Sequence, residues 1–251
     1  MSDPLESPRL RLAAAKEHLG DFHRLCGAYF EATPYTRFTE DEPNTGLHVD
    51  KLRFTKPLPV RLVTLAAQTV EHLRSALDQT CKAIAKARGT HRRSSYFPFS
   101  ETAADLDVVI GKRSKGIPDE IVTLIRTFQP YKGGNNILWA LNLAANTNKH
   151  DLLIPVGFFT GHVTYEKFVS QGGALSIPYP VWDRAKNEMV IVRYAGAQPQ
   201  YNIKLRLLIE FKDIEPLART NAIQVLMLMG SESERVVDAL DAEAKRIGIF
   251  A

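Results

Sequence analysis

The chain of 251 residues is 45% hydrophobic and 24% charged, an ordinary globular composition with length enough for one large core or two modest ones. Its formal charge of +4 comes from 32 basic against 28 acidic residues, a mild excess that permits an anionic partner without demanding one. Met1-Ser2-Asp3-Pro4 lacks the basic and apolar pattern of a secretory leader, no apolar run reaches the roughly 20 residues that cross a bilayer, and two cysteines make no disulfide framework, so a cytoplasmic protein without membrane insertion is expected.

From Arg9 to Ala32, Leu12, Ala15, Leu19, Phe22, Cys26 and Tyr29 recur at steps of three and four, the spacing of one helical face. Thr33-Pro34 stops that helix. Tyr35 to Lys56 then reads as a hairpin turning at Asn44-Thr45-Gly46. After Pro57 and Pro59 comes the longest helical stripe, Val63, Ala66, Val70, Leu73, Leu77, Cys81 and Ile84, ending near Arg88-Gly89. Both cysteines fall on apolar stripes, where a thiol behaves as a small hydrophobe. The loop from Thr90 to Ser100 carries His91, Arg92 and Arg93 and then Phe97-Pro98-Phe99, whose proline holds Phe97 extended.

Short helices are expected over Glu101 to Gly111 and Pro118 to Phe128, followed by a break at Gln129-Pro130-Tyr131-Lys132-Gly133-Gly134 and a helix over Asn135 to Lys149. From Leu152 to Lys212 the period becomes two. It is cleanest where Tyr201, Ile203, Leu205, Leu207, Ile209 and Phe211 oppose Asn202, Lys204, Arg206, Glu210 and Lys212, one face buried and one solvated. Pro216 to Ile247 returns to helix with an interruption at Gly230, where Ser231 and Glu234 have capping-box spacing that would restart a second helix or leave one kinked helix. The fold class expected is α+β: a helical core of a long central helix plus N- and C-terminal helices, packed on a mostly antiparallel sheet. With a helical block at about 58–150, a sheet from about 35–56 and 152–212, and C-terminal helices at about 216–247, residues 1–251 read as a single intertwined domain.

Two helices carry the chemistry. On the long one, Glu71, Arg74 and Asp78 line one edge of the apolar stripe, where Arg74 held by Asp78 would present a donor fork to phosphate or carboxylate. The competing reading is an intrahelical ion-pair ladder on a solvated face. On the other, Trp139, Asn142, Asn146 and Lys149 form a second stripe, with His150 four residues past Asn146. His150 could serve as a general acid or base near neutral pH, while Lys149 and His150 also suit a helix end for their interaction with the dipole alone.

Metal binding is not expected. His72, Asp78, His150 and Asp151 are acceptable ligand types, but no HExxH or paired ExxH spacing joins them. A metal hydrolase using His150 and a helix carboxylate is the weakest alternative. No GxSxG elbow, Walker loop or dinucleotide fingerprint is present, and no cofactor is implied. Basic loops at Arg88, His91, Arg92, Arg93 and at Lys112, Arg113, Lys115, near Tyr96, Phe97 and Phe99, offer a route to nucleic acid, unless those phenylalanines plug the core.

The ordered set Leu73-Arg74-Ser75-Ala76-Leu77-Asp78, Phe97-Pro98-Phe99, Gln129-Pro130-Tyr131, then Leu138-Trp139 and Asn146 with Lys149-His150 resembles a group of uncharacterised bacterial proteins, over about residues 60–155. Gln79 stands where that pattern has a histidine and Asp151 where it has an arginine. More distantly the helical block resembles HEPN-type domains, whose RNases use an RxxxxH helix; no contiguous RxxxxH joins Arg74 to His150. The resemblance implies a bacterial protein with no assigned activity. Two functions are therefore expected to compete: binding of RNA or another phosphate-bearing ligand at a cleft presenting Arg74, Asp78, Asn146, Lys149 and His150, with His150, Arg74 and Asp78 as the candidates for any catalysis, or a non-catalytic structural or interaction role with the same residues as a buried polar network.

Overall fold

The computed structural model describes residues 3–90, 95–150, 156–170, 172–179, 181–183, 185–211, 214, 217 and 220–251, with the side chains of 148–150, 156–162 and 205–207 outside the description. The elements in order are α1 (Glu6–Glu31), β1 (Tyr35–Glu42), β2 (Leu47–Phe54), α2 (Val60–Ala87), α3 (Leu106–Arg113), α4 (Asp119–Thr127), α5 (Asn136–His150), β3 (Val156–Val169), β4 (Leu175–Ser176), β5 (Trp182–Asp183), β6 (Glu188–Tyr194), β7 (Gln200–Phe211) and α6 (Ala222–Arg246). This is an α+β chain whose main sheet is antiparallel. No helix among the described residues is long and apolar enough to cross a membrane. The chain divides into two compact units, one built from 1–23, 61–155 and 211–251, the other from 24–60 and 156–210.

The helical unit is organised by burial of stripes that the sequence periodicity marks. α2 buries Leu62, Leu65, Ala66, Val70, Leu73, Leu77, Cys81 and Ile84 along its length. Burial pushes the Cys81 thiol far up and the Cys26 thiol up to about 12, so both remain protonated, inert apolar groups at neutral pH. α1 begins at Glu6 rather than Arg9, because the Asp3 side chain accepts from Leu5 N at 2.9 Å and Pro8 sits in the first turn, where a missing N–H costs no helical hydrogen bond.

Elsewhere along the helices the sequence reading needs correction. The helix expected from Glu101 starts only at Leu106, since Thr102 Oγ1 donates to Asp105 Oδ2 at 2.7 Å and Ser100 Oγ to the Thr102 carbonyl at 2.8 Å, local bonds that compete with helical turns. Of the two readings for the C-terminal region, two helices or one kinked helix, the chain forms a single helix, α6, which begins after the Asn221 cap and continues through Gly230 without a break. Its buried stripe of Val225, Leu226, Met229, Ser233, Val236, Val237 and Leu240 continues across the glycine, and that burial outweighs the roughly 1 kcal/mol a helical glycine costs.

In the second unit, β1 and β2 form the hairpin read from the sequence, with Asn44 and Gly46 in the left-handed region at its turn. β2 pairs β6, and β4 and β5 both line the far edge of β6. A second sheet, β3 with β7, shares its core: Leu52, Met189, Ile191 and Val192 of one meet Tyr201, Ile203, Val163, Tyr165 and Phe168 of the other. Along β7, Tyr201, Ile209 and Phe211 are buried and Asn202 and Lys204 exposed as the alternation requires, whereas Glu210, expected on the solvated face, is buried.

Asp50, 0% exposed, pins these layers. Its carboxylate accepts from Thr39 Oγ1 at 2.5 Å, Arg37 Nη2 at 2.6 Å and Tyr201 Oη at 2.5 Å, while the Arg37 guanidinium covers the Tyr201 ring at 4.0 Å. Burial alone would raise the Asp50 carboxyl, but the hydrogen bonds from Thr39, Tyr201 and Arg37, with the Arg37 charge, outweigh it and hold the group below the usual carboxylate range. A lowered folded-state value makes Asp50 stabilising above its unfolded value of about 4, with the contribution lost as pH falls through the folded one. Acid titration followed by amide exchange in β2 and β6 is therefore expected to show this unit weakening below about pH 4, and Asp50→Asn to cost about 3 to 5 kcal/mol at neutral pH while flattening that acid limb. An unchanged acid limb in the variant would assign the transition to another group.

Candidate functional site

The site is built within the helical unit around one carboxylate. Arg74 and Asp78 are one turn apart on α2, and Arg74 Nη1 donates to Asp78 Oδ1 at 2.5 Å. The same oxygen accepts from the Phe97 amide at 3.1 Å, tying the 95–100 segment to the helix. Arg74 is 8% exposed and lays its guanidinium 4.3 Å from the centre of the Phe99 ring, which in turn meets Phe97 at 5.0 Å. Arg74 Nε is buried with no hydrogen-bond partner among the described residues. The arginine is held by one acid and one aromatic face.

The segment itself is fastened at several points. Tyr96 N donates to the Arg113 carbonyl at 2.7 Å, Ser114 Oγ to the Tyr96 carbonyl at 3.1 Å, Ser95 Oγ to the Lys115 carbonyl at 2.7 Å and Ser100 N to the Pro130 carbonyl at 3.1 Å. These bonds fix Phe97 in the core, fully buried, and leave Phe99 and Tyr96 half-buried, with Lys82 Nζ 4.4 Å from the Tyr96 ring. Phe97 therefore fills the core, and Phe99 lines a wall of the pocket.

α5 supplies the opposite side. Asn135 caps it, its Oδ1 accepting from Ile137 N and Leu138 N at 3.1 Å, and the Asn135 amide donates to Glu232 of α6 at 2.5 Å. The steps of three and four between Trp139, Asn142 and Asn146 put all three on the face that meets the pocket, the first two buried and the third exposed. The result is a cavity of about 670 Å³ with Arg74, Asp78, Phe99, Trp139, Asn142 and Asn146 in its walls. Glu101, Asp105, Lys112 and Arg113 add exposed charges to its lining, the last two from the final turn of α3, where the helix dipole favours cations.

Arg74, Asp78 and Asn146 accordingly share one pocket. The side chains of Lys149 and His150, on the last turn of α5, lie outside the described residues, as do Asp151 and the basic run His91, Arg92, Arg93. Glu71 is not in the lining. Gln79 faces elsewhere, donating to Ser75 Oγ at 2.9 Å and accepting from Ser7 Oγ at 2.6 Å. His72 also faces elsewhere, stacked on His18 at 5.2 Å, and its Nδ1 accepts from Arg11 at 3.2 Å; burial first, and then the charges of Arg11 and His18, lower its pKa. An arginine has no acceptor, so this contact requires the neutral ring. Among the described residues no group of three or more histidines, cysteines or acids is placed to hold a metal ion, and no histidine or cysteine lines the pocket.

Sequence reasoning read Lys112 and Arg113 as part of a separate basic loop and did not place Glu101 or Asp105 at the site. Their membership depends on where the short α3 begins, which local side-chain bonds decide. Comparison with family models, curated proteins and solved structures finds no match for this chain.

If Asp78 is the fastener, Asp78→Ala orphans the mostly buried Arg74 and is expected to cost about 2 to 3 kcal/mol, the worth of a hydrogen bond to a charged group. Amide exchange at Phe97 should accelerate with it. Asp78→Asn, which keeps an acceptor for that amide, should protect Phe97 better than alanine does. Wild-type melting and Phe97 protection in the alanine variant would contradict the assignment.

Proposed function

We propose that the pocket between α2, α3 and α5 binds a phosphate-bearing ligand. The observation that carries this is the state of its cations: Arg74 is committed to Asp78, whereas neither Lys112 nor Arg113 is paired with an acid among the described residues. Two exposed cations side by side on a cavity of this volume suit an anionic group on a small molecule, since ligand pockets commonly span about 300 to 1,000 Å³. In this reading Arg74 and Asp78 shape the wall, Lys112 and Arg113 meet the phosphate, and Asn142 and Asn146 supply the polar groups of α5.

The structural reading has its own support in the doubly used Asp78 oxygen, which joins α2 to the 95–100 segment whether or not a ligand binds. The two roles separate by residue. Lys112→Ala/Arg113→Ala removes only exposed side chains and is expected to leave the melting temperature unchanged while weakening ribose 5-phosphate binding in calorimetry at least about tenfold, the loss of one charge-assisted contact or more. Equal binding by wild type and double variant, or none by wild type, would leave the pocket with its structural role alone.

A further inference from the structure

The charges around the pocket are not of one sign. Glu101 and Asp105 line it together with Lys112 and Arg113, and no ion pair joins the two sets. A compact polyanion would gain from the cations and lose to the carboxylates. A ligand with a phosphate at one end and hydrogen-bond donors at the other would satisfy both. The half-buried rings of Tyr96 and Phe99 and the indole of Trp139 line the same pocket, surfaces for a flat ring system. Phe99 is braced by Arg74, whose guanidinium lies 4.3 Å from its centre.

Resting on the phosphate-binding reading above, we infer that the ligand is a nucleoside 5′-monophosphate unit whose base carries an exocyclic amine, held with its phosphate at Lys112 and Arg113, its base against Phe99 and Trp139, and its amine on Glu101 or Asp105. Carboxylates accept from base amines, as they do from the amine of cytosine, and aromatic side chains stack on any base. The side-chain amides of Asn142 and Asn146 carry both donors and acceptors for the rest of the base edge. The same chemistry is offered by a free nucleotide and by the 5′-terminal residue of an RNA strand.

Calorimetric titration of the full chain with ribose 5-phosphate, adenosine, cytidine, guanosine and uridine 5′-monophosphates tests this. At least one amine-bearing nucleotide should bind about tenfold or more tightly than ribose 5-phosphate through base stacking, and uridine monophosphate about tenfold more weakly than it for want of a charged hydrogen bond. Glu101→Gln/Asp105→Asn, at exposed positions, should reduce that second difference while leaving ribose 5-phosphate binding no weaker, since the phosphate then meets two fewer negative charges. Nucleotides that bind no better than ribose 5-phosphate would overturn the inference and leave phosphate binding standing; failure of every phosphate to bind would remove both. A 5′-phosphorylated trinucleotide separates the sources: affinity equal to the monophosphate supports a strand end, and affinity at least about tenfold lower, the scale of one lost contact, supports the free nucleotide.

Discussion

Asp78 Oδ1 is the atom on which the pocket depends, because it serves two partners that the sequence separates. From one side it neutralises Arg74 within α2; from the other it takes the amide of Phe97 and so stops the 95–100 segment from leaving the helix. A charged acceptor strengthens both bonds relative to neutral ones. The extended backbone that Pro98 imposes on Phe97 then turns Phe97 inward, and Phe99 beneath the arginine. Remove the carboxylate and the wall, the ring and the cation lose their common support together.

The second unit uses the same device with different parts. There Asp50 joins Arg37, Thr39 and Tyr201, and an arginine again caps the ring its acid helps to hold, Arg37 on Tyr201 as Arg74 on Phe99. Such buried charged clusters do little for net stability compared with apolar packing of equal volume. What they supply is direction: a carboxylate that needs its donors allows one mutual placement of strands or segments, where methyl groups allow several. Arg74, held by its acid on one side and stacked on Phe99, fixes that part of the pocket wall in the same way.

Much of this was legible in the sequence wherever the relevant physics is local. Helical and strand periods marked the α+β elements, the hairpin turn was written in Asn44 and Gly46, and the spacings of Arg74 with Asp78 and of Trp139 with Asn146 predicted which residues share a face. The misreadings came from competition at a distance or between local options. The break expected at Gly230 did not occur, because packing along the α6 stripe overrides the cost of one glycine. The helix expected from Glu101 starts late because Ser100, Thr102 and Asp105 bond to one another and to the backbone first. Asp50 gives no such local signal, since β2 also carries His48, Lys51 and Arg53; only the fold shows that Tyr201, far along the chain, is its partner.

The interleaving of the two units bears on how the polypeptide is made. The central pairing of β2 with β6 sets His48 opposite Tyr194, and the helical unit closes with contacts such as Arg9 to Asp241 and Asn135 to Glu232. Neither core can be completed by a nascent chain until most of it has left the ribosome, and loop closure over such separations is slow. The early segments must wait with their apolar stripes uncovered, and the polypeptide's vulnerability to aggregation lies in that interval of synthesis.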